Sequence, residues 1–122
     1  MVSISHREFS RMVRHAYRGL PSRVRRRLEN VVISVEDWPS ADDLELVEPG
    51  GTLLGLFTGV PITEREGIGP PLPDRIILFR CPILDTCSSV EEAEREIRVT
   101  LWHEVGHYLG MDEDALHRLG YG

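Results

Sequence analysis

Two histidines four residues apart, with a glutamate directly after the first, lie near the end of this 122-residue chain. They are His103, Glu104 and His107, in the stretch TLWHEVGHYLGMDED at 100–114. On a helix, side chains at i and i+4 project from one face, so both imidazoles can point a nitrogen at one ion. Zinc accepts such nitrogens at about 2.0–2.1 Å in a tetrahedral arrangement. Glu104 would lie beside the first ligand, where its carboxylate can act as a base towards an activated water.

A catalytic zinc site usually has three protein ligands and one open position. The residues after His107 that could supply the third ligand are Asp112, Glu113, Asp114 and His117. Gly110, three residues after His107, can take a positive φ, end the helix and turn the chain back beneath the metal. Glu113 is then the best placed of the four, and the pattern becomes HExxHxxGxxE.

The alternative interpretation is an ordinary helix with two packed or exposed histidines, because a bare HExxH fixes only three of its five positions. Three features favour a metal site. The motif lies late in a predicted long helix, Gly106 inside it is a poor helix former, and a third ligand is within reach.

The elements that must position this motif follow from periodicity and breakers. Apolar residues at helical spacing predict a helix from about Ser5 to Leu20, and a second short helix follows Pro21. Strands are predicted at 31–39, 52–62 and 75–84, separated by loops at 39–51 and 63–74. A capping box at Ser89 and Glu92 should begin a long helix that ends at Gly110, followed by a last short helix or turn. The fold class is therefore α+β, a small sheet of three to four strands backed by helices.

The bulk composition predicts one soluble domain, residues 1–122. No apolar run approaches the roughly 20 residues needed to span a bilayer, and the N-terminus carries no signal-peptide pattern. We therefore expect a cytoplasmic protein with no membrane partner. The two cysteines, Cys81 and Cys87, lack the CxxC spacing of metal and redox motifs and are expected to be reduced thiols.

The net charge of −6 is unevenly distributed along the chain. Residues 1–30 hold eight arginines against Glu8 and Glu29, a balance of +6, whereas residues 31–122 carry a balance of −12. The basic segment could contact nucleic acid through arginines at 23 and 25–27. We favour instead the solvated faces of two helices, since the whole molecule would repel a polyanion.

The pattern HEVGHYLGMDE resembles the metzincin arm of the zincin metallopeptidases, and most of the chain resembles a bacterial family of minimal zincin-like metallopeptidases. Besides the motif, GLFTGVPITE and PDRIILFRCPIL carry the resemblance. It implies Zn²⁺ on His103, His107 and Glu113, with Glu104 as the general base. It also implies an edge strand beside the active helix that pairs with an extended substrate, for which RIILF is the candidate.

The expected function is zinc-dependent hydrolysis of a peptide or protein substrate. The main alternative is a zincin-fold protein that binds a metal or a partner but is catalytically weak or inactive. A nucleic-acid-binding role through the arginine-rich N-terminus ranks below both. Tyr108 and His117 are further candidates to stabilise the developing oxyanion, although packing and surface roles are commoner for such residues.

Overall fold

The computed structural model describes residues 2–45, 53–59, Thr63 and 74–118, with only the backbone of Glu113, Leu116 and His117. The described part packs helices against one small sheet, in agreement with the predicted α+β class. The elements in chain order are α1 (His6–Arg18), α2 (Ser22–Arg27), β1 (Val31–Glu36), α3 (Ala41–Leu44), β2 (Gly55–Thr58), β3 (Asp74–Phe79), α4 (Arg80–Asp85), α5 (Val90–Tyr108) and α6 (Glu113–Arg118).

The three described strands form a mixed sheet in the order β1-β3-β2. β1 pairs with β3 in parallel, with Ile33 opposite Ile76. β2 pairs with β3 antiparallel, with Leu56 opposite Ile77. β3 is the most apolar of the three and is buried along almost its whole length, as expected for a strand with neighbours on both sides.

Helices α1 and α5 cover one face of this sheet. On α5, four of the buried residues recur every four positions and form one apolar stripe: Ala93, Ile97, Leu101 and Val105. This stripe shares a single hydrophobic cluster with Phe9 and Val13 of α1 and with Ile76 and Leu78 of β3. Each fully buried Ile, Leu or Phe contributes about 1.5–3 kcal/mol relative to an exposed one. The cluster therefore fixes α5, and with it the motif, against the sheet.

The predicted helix ends agree closely with the observed ones because local hydrogen bonds define them. The Ser5 side chain accepts from the backbone N–H of Glu8 at the start of α1, and Ser89 does the same for Glu92 at the start of α5. After α1, Pro21 precedes the short helix α2 as expected, and Leu28 that follows it is buried.

The predicted strand over 75–84 is wrong in its second half. β3 ends at Phe79, and α4 begins at the next residue. Pro82 explains the difference, since proline has no N–H for a strand ladder but is tolerated in the first turn of a helix. The Cys81 N–H donates to the carbonyl of Asp37 at 3.0 Å instead of continuing the ladder.

The expectation that RIILF is an edge strand is also wrong. Those residues lie in β3, the central strand, and the two outer strands are β1 and β2. An almost unbroken apolar run is typical of a strand covered on both sides, and this signal favoured the central position.

Two smaller expectations are corrected or confirmed by the described residues. The segment 39–51, predicted as a loop, contains the single-turn helix α3, whose N-terminus carries a capping box between Ser40 and Asp43. Cys81 and Cys87 are free thiols, as predicted.

Most of the predicted loop 63–74 and the end of the predicted strand 52–62 lie outside the described residues. None of the described helices has the length and apolar character needed to cross a bilayer.

Candidate metal centre

The motif residues lie together in the last two turns of α5. His103, Glu104 and His107 each offer a nitrogen or oxygen, and these atoms lie within 4.8 Å of one another. The two imidazole rings face each other edge-on, with centroids 4.6 Å apart and planes at 75°. Both histidines are half-buried, whereas Glu104 is buried. Two imidazoles and a carboxylate are donors that zinc prefers, so this group could hold a metal ion.

Glu104 contacts the second histidine directly. Its Oε1 lies 3.2 Å from Nδ1 of His107, and only 5% of the glutamate is exposed. A carboxylate beside an imidazole favours the tautomer with the proton on Nδ1, which places the lone pair on Nε2. The pair is therefore suited to present Nε2 of His107 as a metal ligand.

Strand β2 passes unusually close to this part of α5. A Cβ built on Gly55 would lie 2.7 Å from Cγ2 of Thr100 and 3.2 Å from Cγ of Glu104. Only a glycine allows this approach, so Gly55 fixes the distance between the outer strand and the Glu104 side chain. Gly55 lies inside the strand predicted at 52–62. A glycine inside a strand pattern is a known signal of close backbone approach.

The end of α5 confirms the predicted turn at Gly110. Gly110 has φ of +86°, and its N–H donates to the carbonyl of His107 at 3.0 Å while the Met111 N–H donates to that of Gly106 at 2.8 Å. These two bonds form a Schellman motif, which ends a helix and reverses the chain. The turn leads directly from α5 into α6, whose first residue is Glu113.

The third-ligand candidates have different surroundings. Asp112 caps α6, because its Oδ1 accepts from the Ala115 N–H at 2.8 Å, and Asp114 is exposed. Glu113 is the first residue of α6, but its side chain lies outside the described part of the chain, as does that of His117. The predicted role of Glu113 as third ligand therefore stays a prediction.

Tyr108, a candidate for oxyanion stabilisation, is only 5% exposed. Its ring packs edge-on against Phe57 of β2, with centroids 5.6 Å apart. Besides the close approach at Gly55, this is a second packing contact between α5 and β2, and it explains why an aromatic residue occupies position 108.

A small mixed sheet backed by a long helix that carries HExxH on its covered side is the architecture of a zincin. In agreement, the family described as zincin-like metallopeptidase matches residues 28–122. The chain belongs to this family. Its fold is also that of a conserved hypothetical protein from Thermus thermophilus, with a TM-score of 0.59 and 24% identity over 87% of this chain and 94% of that one. No curated protein gives a significant match.

Proposed function

We propose that this protein is a zinc-dependent peptidase in which His103, His107 and Glu113 hold the metal and Glu104 is the general base. The observation that carries the proposal is the convergence of His103, Glu104 and His107 within 4.8 Å, beside an outer strand that approaches the same helix turn. Family membership supports the same reaction class.

The metal ligands come from one rigid element and the turn that follows it. His103 and His107 project from consecutive turns of α5, and the Schellman motif at Gly110 starts the segment that carries Glu113. When bound, zinc supplies Lewis-acid polarisation of the scissile carbonyl and makes a coordinated water more acidic.

Glu104 is placed to move the proton. One carboxylate oxygen, Oε1, contacts His107, and the second oxygen can accept a proton from the attacking water. The protonated carboxyl group then donates to the leaving amine nitrogen, so that the base of the first step is the acid of the second. Burial of Glu104 keeps its side chain in one position for both transfers.

The substrate backbone is proposed to pair with β2. Among the described strands β2 bonds only to β3, on one side, and Gly55 sets it against Thr100 and Glu104. An extended peptide added to the other side of β2 would gain main-chain hydrogen bonds along its length. Its scissile bond would then lie near Glu104, which replaces the prediction that RIILF performs this role.

Metal content per chain, measured by mass spectrometry on untagged protein, tests the site. Close to one zinc per chain is expected for the unmodified protein, with loss of the metal in His103→Ala. His15→Ala is the matched control, because His15 is an exposed histidine of α1 and its removal should leave the zinc content unchanged. Absence of zinc even at micromolar excess of the ion would overturn the proposal.

Digestion of a broad peptide library tests the activity. Cleavage by the zinc-loaded protein, lost in Glu104→Gln with the zinc retained, is expected for a peptidase. Zinc binding without cleavage of any peptide would instead support the alternative, a zincin-fold protein that binds a partner.

A further inference from the structure

The outer surface of α1 carries a row of arginines on one face of the helix. Arg7, Arg11, Arg14 and Arg18 follow one another at spacings of four, three and four residues, and all four are exposed. Arg11 pairs with Glu8 at 3.1 Å. The other three form no ion pair with any residue that the structure describes. This row, the arginine row, holds half of the eight arginines of residues 1–30, whereas residues 31–122 carry a balance of −12.

A groove runs between α1 and β1 beside this row. Ser10, Arg14 and Tyr17 of α1 form one wall. The other wall comes from β1 and is mainly apolar, since Val31, Ile33 and Val35 line it together with Ser34. The groove has a volume of about 400 Å³, which is within the range of pockets that bind small molecules. Arg14 belongs to both the groove and the arginine row.

β1 is an outer strand of the sheet. Its only partner among the described strands is β3, and each residue of the strand is partly or fully exposed to solvent. Backbone N–H and C=O groups on the unpaired side of an outer strand are a template for another strand. This edge is separate from the β2 edge, since β3 lies between the two strands.

We propose that β1 and the arginine row form a docking site for an extended segment of a partner protein, with apolar residues at alternate positions and acidic residues at its ends. The backbone of the segment would pair with β1, its apolar side chains would enter the groove, and its acidic ends would meet the arginine row. The positive charge of the arginine row attracts the acidic ends of such a segment, whereas residues 31–122, with a balance of −12, repel them. A long nucleic acid fits less well, since the net charge of −6 acts against a polyanion over its whole length.

This docking site requires neither a metal nor Glu104, so it can be tested independently of the proposed peptidase activity. The probe is the labelled peptide Ac-Glu-Glu-Val-Thr-Val-Thr-Val-Glu-Glu-NH2, titrated with the intact protein by fluorescence anisotropy. Saturable binding below about 1 mM is expected, and it should be unchanged in the Glu104→Gln variant.

Two matched comparisons separate docking from general attraction. Arg14→Glu should weaken binding at least about threefold, whereas Arg95→Glu, an exposed charge reversal on α5 outside the groove, should change it little. A peptide with lysines in place of the glutamates should not bind. Hydrogen exchange of the β1 amides should slow when the probe binds, and a probe with N-methylated alternate residues should neither bind nor slow it.

Several results would overturn the proposal. The first is no binding of the peptide up to about 1 mM. The second is an equal loss of peptide affinity in the Arg14→Glu and Arg95→Glu variants. The third is peptide binding that does not slow the hydrogen exchange of the β1 amides. Tighter binding of a labelled twelve-residue thymidine oligonucleotide than of the peptide would show that the arginine row serves nucleic acid instead.

Discussion

At the scale of single residues, the position of Glu104 decides whether the site can catalyse a reaction or only bind an ion. Its carboxylate is buried and lies 3.2 Å from His107. A glutamine in its place keeps the shape and the capacity to accept from His107 but cannot take a proton from water. We expect Glu104→Gln to lower peptide cleavage by about 10²–10⁴-fold, measured as kcat/KM on the best library peptide.

The metal content of the same variant is the control for this prediction. Zinc should remain near one per chain, because the proposed ligands are untouched. If zinc is lost together with activity, Glu104 holds the site together and the loss says nothing about proton transfer. If activity persists at the unmodified level, Glu104 is not the base.

Gly55 controls how closely β2 can approach α5. An alanine there would place its Cβ 2.7 Å from Cγ2 of Thr100, and Thr100 is buried and β-branched, so it has little room to move. We expect Gly55→Ala to lower the free energy of unfolding by about 1–3 kcal/mol, measured by urea denaturation. Cleavage should fall as well, because the strand proposed to hold the substrate is displaced.

Gly19→Ala is the matched control for Gly55→Ala. Gly19 has φ of −77°, and its nearest neighbour to a new Cβ is the Ala16 carbonyl at 3.4 Å. This substitution should be neutral or slightly stabilising, since alanine restricts the unfolded chain more than glycine does. Equal stability of the two variants would show that β2 can shift away from α5 without cost.

At the scale of the elements, hydrogen bonds that the sequence predicts define both ends of α5. Ser89 caps its start and Gly110 forms the Schellman motif at its end. We expect Ser89→Ala to reduce the free energy of unfolding by about 1 kcal/mol, because the Glu92 N–H loses its acceptor. The zinc content should not change, since the cap lies roughly 20 Å along the helix from His103.

Ser88→Ala checks that the effect belongs to the cap. The backbone N–H of Ser88 donates to Oε2 of Glu92, but its exposed side chain takes no part in that bond. This variant should stay within about 0.5 kcal/mol of the unmodified protein. A loss as large as that of Ser89→Ala would refute the capping explanation.

The helices could be predicted more fully than the strands for a physical reason. A helix is stabilised by hydrogen bonds within itself and by caps at its ends, and both depend on residues close in the sequence. Apolar periodicity therefore predicted the length of α5, and Ser89 and Gly110 predicted its ends. Strand order depends on partners distant in the chain. The apolar run of β3 favours a central strand, but no local signal showed which strands pair with it or that β2 is the outer strand next to α5. The end of β3 also depended on Asp37, which accepts from Cys81 across the fold.

The candidate site likewise has residues that the sequence predicted and residues that only the fold brings together. The HExxH spacing placed His103, Glu104 and His107 on one helix turn without knowledge of the fold. Gly55 and Thr100 could not be found by spacing, because they meet only when β2 docks on α5. Asp112 was a candidate ligand by position, yet its carboxylate caps α6, a role that appears only once the turn at Gly110 is in place.

At the scale of the whole molecule, Asp37 ties together the N-terminal segment, the end of β1 and the start of α4. Its Oδ1 accepts from Arg80 Nε at 2.8 Å and lies 3.0 Å from His6 Nδ1. Arg80 also donates to the Ile4 carbonyl at 2.7 Å. The Arg80 hydrogen bond, and after it that of His6, lowers the pKa of Asp37 from 3.8 to about 2.

This lowered pKa predicts the sign and the range of a pH effect. A carboxyl group that is more acidic in the folded state stabilises the fold above its unfolded pKa, and the contribution disappears as the pH falls through the folded value. The stabilisation by Asp37 should therefore be complete above about pH 4, near the unfolded pKa of Asp, and decline from there towards the folded pKa of about 2. Asp37→Asn should lower the urea midpoint at pH 6. The difference in midpoint from the unmodified protein should begin to narrow near pH 4 and be clearly smaller at pH 3.

Asp85→Asn is the control, because the exposed Asp85 pairs with no described residue. Its difference in urea midpoint from the unmodified protein should not follow this pattern. A difference for Asp37→Asn that stays constant down to pH 3 would mean that the charge of Asp37 does not hold the N-terminal segment to the sheet.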